Sequence, residues 1–216
     1  MSTATCGSLV PLASQEGKGD AVAEFLLGGY GLVQAEPETL QWYAMKLEGT
    51  SPPVYDIFDT FPSQEGRKAH FDGPIPNALM QHGPSLLSVG PDINKIMVEV
   101  IASKVTKAGE GQKAGLTVGS RVLFTAKPEK KEAVRESLVN ALAQIKGEEK
   151  TVAWYAIHFP GTDNFGAISF FASEEDRLAH LKGPVVAAAA ASAEEVLVTP
   201  PASVKFEILA AHVTNT

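Results

Sequence analysis

The stretch RKAHFDGP at Arg67–Pro74 returns as RLAHLKGP at Arg177–Pro184, with five of eight positions identical. Upstream, WYA at Trp42–Ala44 returns at Trp154–Ala156. The first pair is offset by 110 residues and the second by 112, so two separated motifs recur at nearly one spacing. A chain built this way is a duplicated domain. Each copy spans roughly 95 residues, close to the lower end of ordinary domain size, and gains by burying surface against its sister. We therefore expect an internal pseudo-dimer, with a first domain over 1–106, a linker over 107–118 and a second domain over 119–216. The linker reads from the stretch TKAGEGQKAGLT, Thr106–Thr117, which lacks apolar periodicity.

Each copy gives the same order of elements. In the first, strands are expected at Gly7–Ala13, Leu40–Leu47, Val54–Thr60 and Ile93–Val105. A helix over Gly17–Val33 and another from a Ser63 N-cap toward His82 fall between them. In the second, strands are expected at Arg121–Ala126, Val152–Phe159, Gly166–Phe171 and Ser203–Val213. Pro128 opens a helix whose Val134, Leu138, Ala141, Leu142 and Ile145 share one face, and Ser173 with Asp176 caps a helix ending near Ala193. The order β-α-β-β-α-β is that of a ferredoxin-like α+β unit. The second strands, LQWYAMKL and VAWYAIHF, are apolar on both faces. One face must then meet helices and the other a second sheet, most simply that of the sister copy.

Composition narrows the functional classes. The formal charge is −7, with acidic and basic residues interspersed, so no stripe attracts a nucleic-acid backbone. A single cysteine, Cys6, cannot form an intrachain disulfide, which fits a reducing, cytoplasmic home. No window reaches membrane-spanning length, and no dinucleotide or phosphate loop appears. The five histidines, at 70, 82, 158, 180 and 212, form no zinc-binding spacing, and no metal or cofactor site is expected.

The segments QAEPETLQWYA and YDIFDTFPSQEGRKAHFDGPIPNALM resemble the antibiotic biosynthesis monooxygenase family of dimeric α+β barrels, closely in copy one and more loosely in copy two. The resemblance implies two ferredoxin-like units with paired sheets and a cavity between sheet and helices in each. It also implies a cofactor-independent monooxygenase that oxidises a quinol, anthrone or polyketide-type aromatic with O2. Relatives with cyclase-like or haem- or hydrophobic-ligand-binding roles supply the alternative. A further homodimer is left open. In copy two YDIFDTFP becomes FGAISFFA, losing Asp56 and Asp59, and NALMQ becomes AAAAA at Ala187–Ala191. The two halves are therefore not expected to be equal in function, and the short side chains leave copy two with either a roomier apolar pocket or a collapsed one, the roomier being favoured.

The candidate catalytic residues are His70 and His180, each four residues before a proline and so beside a carbonyl that the proline cannot bond. Two readings stand: a base opening on a pocket, or an anchor for the helix turn. Trp42 and Trp154 share their strand faces with Lys46 and His158 and either wall a flat substrate or fill the core. Tyr43 and Tyr155 point the other way, toward the sheet–sheet contact. The candidate substrate-binding set comprises Trp42, Trp154, His158, Arg67, Arg177, Asn77 and Asp59. Arg67 and Arg177, one helical turn before the histidines, could meet a phenolate or simply face solvent. Asp56 and Asp59 face opposite ways, with one of them free to be solvent-facing.

Overall fold

The computed structural model describes residues 3–106 and 109–214; part of the expected linker, at 107–108, lies outside the described residues. Copy one contributes β1 (Cys6–Ala13), α1 (Gly19–Val33), β2 (Gln41–Leu47), β3 (Val54–Phe61), α2 (Gln64–Phe71), α3 (Pro74–Leu86), the single turn α4 (Ile93–Ile96) and β4 (Met97–Val105). Copy two contributes β5 (Val118–Thr125), α5 (Lys131–Gly147), β6 (Thr151–His158), β7 (Asn164–Phe171), α6 (Glu174–Leu181), α7 (Pro184–Val196) and β8 (Ala202–Val213). The eight strands close into one antiparallel barrel in the order β1-β3-β2-β8-β5-β7-β6-β4. This is a fused dimeric α+β barrel of two β-α-β-β-α-β repeats.

Closure happens at two seams between the copies. β8 pairs with β2 from Gln41↔Val213 to Leu47↔Phe206, and β4 pairs with β6 from Glu99↔His158 to Val105↔Ala153. The last strand of each copy thus borders both sheets, and closing the barrel leaves no strand edge unpaired at either seam.

Strand alternation sorts side chains between two environments. Tyr43, Phe58, Tyr155, Phe170 and Phe206 fill the barrel, with the Tyr43 and Phe170 rings 3.9 Å apart. The Tyr43 and Tyr155 hydroxyls hydrogen-bond each other at 2.9 Å across the pseudo-twofold, which gives each buried oxygen a partner. Burial raises both phenols above their ordinary value. On the outer face, Trp42 packs with Val22, Leu26 and Ile75 under α1 and α3, and Trp154 packs with Ile145 under α5.

Several boundaries differ from the sequence reading for identifiable reasons. Gly17 takes a left-handed turn at φ 72°, so α1 starts at Gly19. The expected Ser63–His82 helix is two helices, because Gly73 adopts an extended conformation and Pro74 starts a new one. Asp92 caps a separate turn before β4, and β5 begins at Val118, ahead of Arg121. The expected linker is partly structural: Ala114 and Leu116 are buried in the barrel cluster, and the Gln112 carbonyl accepts from the Ala211 amide at 2.9 Å. It serves as a plug for one barrel end.

Candidate functional site

In each copy a histidine at the end of a short helix reaches back to a glutamate in the loop before the second strand. His70 Nδ1 lies 2.6 Å from Glu36 Oε2, and His180 Nδ1 lies 2.7 Å from Glu148 Oε2. A threonine hydroxyl donates to each of those carboxylate oxygens, Thr39 at 2.7 Å and Thr151 at 2.6 Å. The glutamate and threonine recur at the 112-residue offset, six and three residues before the tryptophans, and that repeat was the available sequence signal. Sequence reasoning missed them because a loop residue carries no periodicity to mark its orientation. The carbonyl expected to be free is not: Gly73 N–H donates to the His70 carbonyl and Gly183 N–H to that of His180, both at 2.9 Å. The i+3 amide takes the bond that proline at i+4 cannot make.

The copies diverge at Nε2. His70 Nε2 is 3.5 Å from Asp59 Oδ2, so two carboxylates flank one buried imidazole. Burial works against its charge, but the bond to Glu36 and the negative charge of Asp59 prevail and hold the His70 pKa above its ordinary value. Asp59 also accepts from the Ser8 amide at 2.9 Å and the Ser8 hydroxyl at 2.6 Å. Its carboxyl is pushed up by burial, against the opposing pull of His70 and Ser8. Both ring nitrogens of His70 are thus engaged by carboxylates. In copy two Ser169 stands where Asp59 does, and its Oγ lies 3.2 Å from His180 Nε2. In the tautomer that donates Nδ1–H to Glu148, Nε2 accepts from the Ser169 hydroxyl.

The cavities diverge in the same sense. Copy one has a cavity of about 330 Å³ lined by Phe25, Leu32, Trp42, Ile57, Ile75 and His82 among others, and His70 is not in its wall. Copy two has one of about 540 Å³ whose wall includes Trp154, Ser120, Ser169 and His180. The roomier pocket expected there is present, and its cause is local. Leu79 of α3 packs against the copy-one core, whereas its equivalent Ala189 lines the copy-two cavity. On the opposite wall, Phe25, Gly28 and Leu32 of α1 are replaced by Ser137, Asn140 and Gln144 of α5. Copy two therefore gains polar groups on this wall, a change that comparing only the second half of each repeat does not show.

The other candidates are placed differently from the sequence expectation. Arg67 Nη1 donates to the carbonyls of Gly7 (3.1 Å) and Val98 (3.4 Å), across the β1–β4 pair. Arg177 Nη1 donates to those of Gly119 (3.0 Å) and Phe206 (3.3 Å), across β5–β8, and meets Glu48 and Glu174. Both arginines are strand clamps outside the cavity walls, and Arg177 is buried instead of facing solvent. His158, the last residue of β6, holds the turn that follows: Nε2 meets the Thr162 carbonyl at 3.0 Å, Nδ1 lies 3.4 Å from Glu99, and its ring packs on Phe165. Asn77 is exposed on α3, and Asp59 is consumed by Ser8 and His70. Neither aspartate faces solvent; Asp56 points into the barrel, where Arg121 Nε of the other copy lies 2.7 Å from its Oδ2. Among the described residues no cluster of three or more histidine, cysteine or acidic side chains is arranged to hold a metal ion, and no helix is long and apolar enough to cross a membrane.

No protein-family model and no curated protein matches the sequence. Solved structures do. A proposed monooxygenase from Fusobacterium nucleatum subsp. nucleatum shares 12% identity at a TM-score of 0.82, over 99% of this chain and 96% of that one. An anthrone oxidase-like protein shares 11% at 0.63, over 99% and 95%. A ferredoxin-fold protein from Listeria monocytogenes, described as related to antibiotic biosynthesis monooxygenases, shares 9% at 0.55, over 96% of each. At such identities the likeness is one of fold, and it extends over the whole chain. The protein is a dimeric α+β barrel of the kind seen in these monooxygenase-related proteins, with both units carried on one polypeptide.

Proposed function

We propose that the protein is a cofactor-independent monooxygenase-like enzyme acting on an electron-rich aromatic of the hydroquinone or anthrone type, and that copy two is the working half. The observation that carries this reading is the His180 arrangement. Its Nδ1 is pinned by Glu148, its Nε2 reaches the wall of a cavity of about 540 Å³ through Ser169, and Trp154 supplies an aromatic surface in the same wall. A base needs a nitrogen that opens on its substrate, whereas His70 is flanked by carboxylates on both nitrogens and lies outside the copy-one cavity wall. The names of the solved structures of this fold, monooxygenases and an anthrone oxidase-like protein, agree with the choice of chemistry.

Ground-state O2 is a triplet and reacts slowly with closed-shell molecules, whereas a deprotonated aromatic can give it one electron. In the proposed sequence the substrate proton passes to His180 Nε2, directly or through the Ser169 hydroxyl. The carbanion or phenolate reduces O2 to superoxide, the two radicals combine as a peroxide that takes the proton back from His180, and loss of water leaves a carbonyl. One oxygen atom enters the product and the other leaves as water. The cavity binds, positions and shields these species from solvent. The test is O2 uptake on a panel of hydroquinones and anthrones, with 18O2 to follow the product oxygen. Uptake above the uncatalysed rate that is lost in His180→Ala is expected; tight aromatic binding without uptake would make the protein a carrier.

A further inference from the structure

We propose that Ser169 is a nucleophile and that the copy-two cavity carries a second activity, the transfer or hydrolysis of activated esters of apolar acids. The proposal shares the cavity with the reading above but requires none of its redox chemistry.

A serine hydroxyl is a weak nucleophile until a base takes its proton, and the base must itself be oriented. Three side chains here form that chain: Glu148 Oε2 to His180 Nδ1 at 2.7 Å, and His180 Nε2 to Ser169 Oγ at 3.2 Å. The order of roles is that of a serine hydrolase triad, which is recognised by geometry independently of fold. Glu148 is held in turn by Thr151, and Ser169 and His180 are only 3% and 7% exposed. Both line the cavity, so a bound acyl group would meet the hydroxyl away from bulk water. The twin site lacks the device: Asp59 replaces the hydroxyl with a carboxylate, and Ser8 occupies one of its oxygens.

Donors for a developing oxyanion would come from side chains, because Ser169 lies mid-strand between β5 and β6, paired with Ser120 and Trp154. Ser120 is its direct neighbour, on the same face and in the same cavity wall. Asn140 and Gln144 face the cavity from α5. The surrounding Trp154, Leu138, Val185 and alanines suit an apolar acyl chain. In the first step Ser169 Oγ bonds to the carbonyl carbon as its proton passes to His180 Nε2, and Glu148 stabilises the imidazolium. Collapse breaks the carbon–oxygen bond to the leaving alcohol, which takes the proton from His180. Water then repeats the attack on the acyl-serine, giving the free acid and restoring the hydroxyl.

The full-length protein would be treated with a fluorophosphonate probe under anaerobic conditions and the adduct located by peptide mass spectrometry, with p-nitrophenyl ester turnover measured in parallel from acetate to decanoate. We expect the adduct on Ser169, its loss in Ser169→Ala, and ester turnover falling about 10²- to 10⁴-fold in Glu148→Gln, as when the orienting acid of a triad is neutralised. Absence of an adduct on the wild-type protein, or an adduct on any other residue, overturns the proposal. Because the wild-type adduct is read without O2, its absence leaves the oxygenase reading untouched, and absence of O2 uptake leaves this one untouched.

Discussion

Removing Arg121 from inside the barrel should destabilise the protein in a way that acid reverses. Asp56 is fully buried, neither of its oxygens has a well-aligned hydrogen bond, and Arg121 Nε at 2.7 Å is its counter-charge. Burial already pushes the Asp56 carboxyl above its ordinary range, with Arg121 pulling it back. In Arg121→Leu the carboxyl would instead be held as the neutral acid. Protonating an aspartyl of ordinary pKa about 3.9 at pH 7 costs up to about 4 kcal/mol, at 1.36 kcal/mol per unit, but only about 1.5 kcal/mol at pH 5. The sign follows from linkage: a raised folded-state pKa stabilises at low pH and is lost as pH climbs past the unfolded value. The pseudo-twofold maps Arg121 onto Leu9 and Asp56 onto Gly166, so Asp56→Gly/Arg121→Leu would copy a pairing the barrel already holds. The double variant should be less destabilised at pH 7 than Arg121→Leu alone, since it leaves no buried charge. Urea unfolding followed by the fluorescence of the buried Trp42 and Trp154 gives all four corners of the cycle at pH 5 and 7. A cost for Arg121→Leu that does not shrink on acidification, or additive single effects, would refute the reasoning.

The remaining expectations concern the two halves. His70→Ala should act on stability, by about 3–5 kcal/mol from the two carboxylates left unpaired, while His180→Ala removes activity with the fold retained; equal activity losses would count against a single working half. The stabilisation from His70 should be full below about pH 6.5, the ordinary histidine value, and fade as pH rises through its raised folded-state pKa, which a His70→Gln variant should flatten in thermal melts. Ala189→Leu restores the copy-one side chain at the cavity wall and should abolish aromatic binding with little change in melting temperature; unfolding would mean α7 already sits tight on the sheet. Cleavage near Gly111 should give halves that reassociate on mixing, whereas two stable monomers would contradict the shared seams.

The repeat made the fold legible, because a duplicated β-α-β-β-α-β unit with a doubly apolar second strand has few ways to cover itself. Alternation alone placed Tyr43 and Tyr155 inside and Trp42 and Trp154 outside, as the structure has them. What alternation gives is a face, and it is silent about who stands opposite. Glu36 and Glu148 escaped notice because their partners lie 34 and 32 residues away, and Arg67 and Arg177 were misread because their ligands are backbone carbonyls, which have no letter in a sequence. The cavity in copy two depends on two helices meeting over one sheet. Only the alanine run on one of them stands out in the sequence.

The exchange of last strands sets a timetable for synthesis. Until β8 emerges, the edge of β2 and part of the surface under α1 have no partner. About a hundred residues separate the end of β4 from the end of β8, so at 5–20 residues per second the first copy waits on the order of 10 s with an open strand edge. During that interval a second nascent chain on the same messenger could offer an equivalent strand. The plug formed by Ala114 and Leu116 is made before copy two, and by seating in the barrel it can keep that copy near its own sister. Ribosome spacing and translation rate thereby become variables in whether the chain closes on itself or on a neighbour.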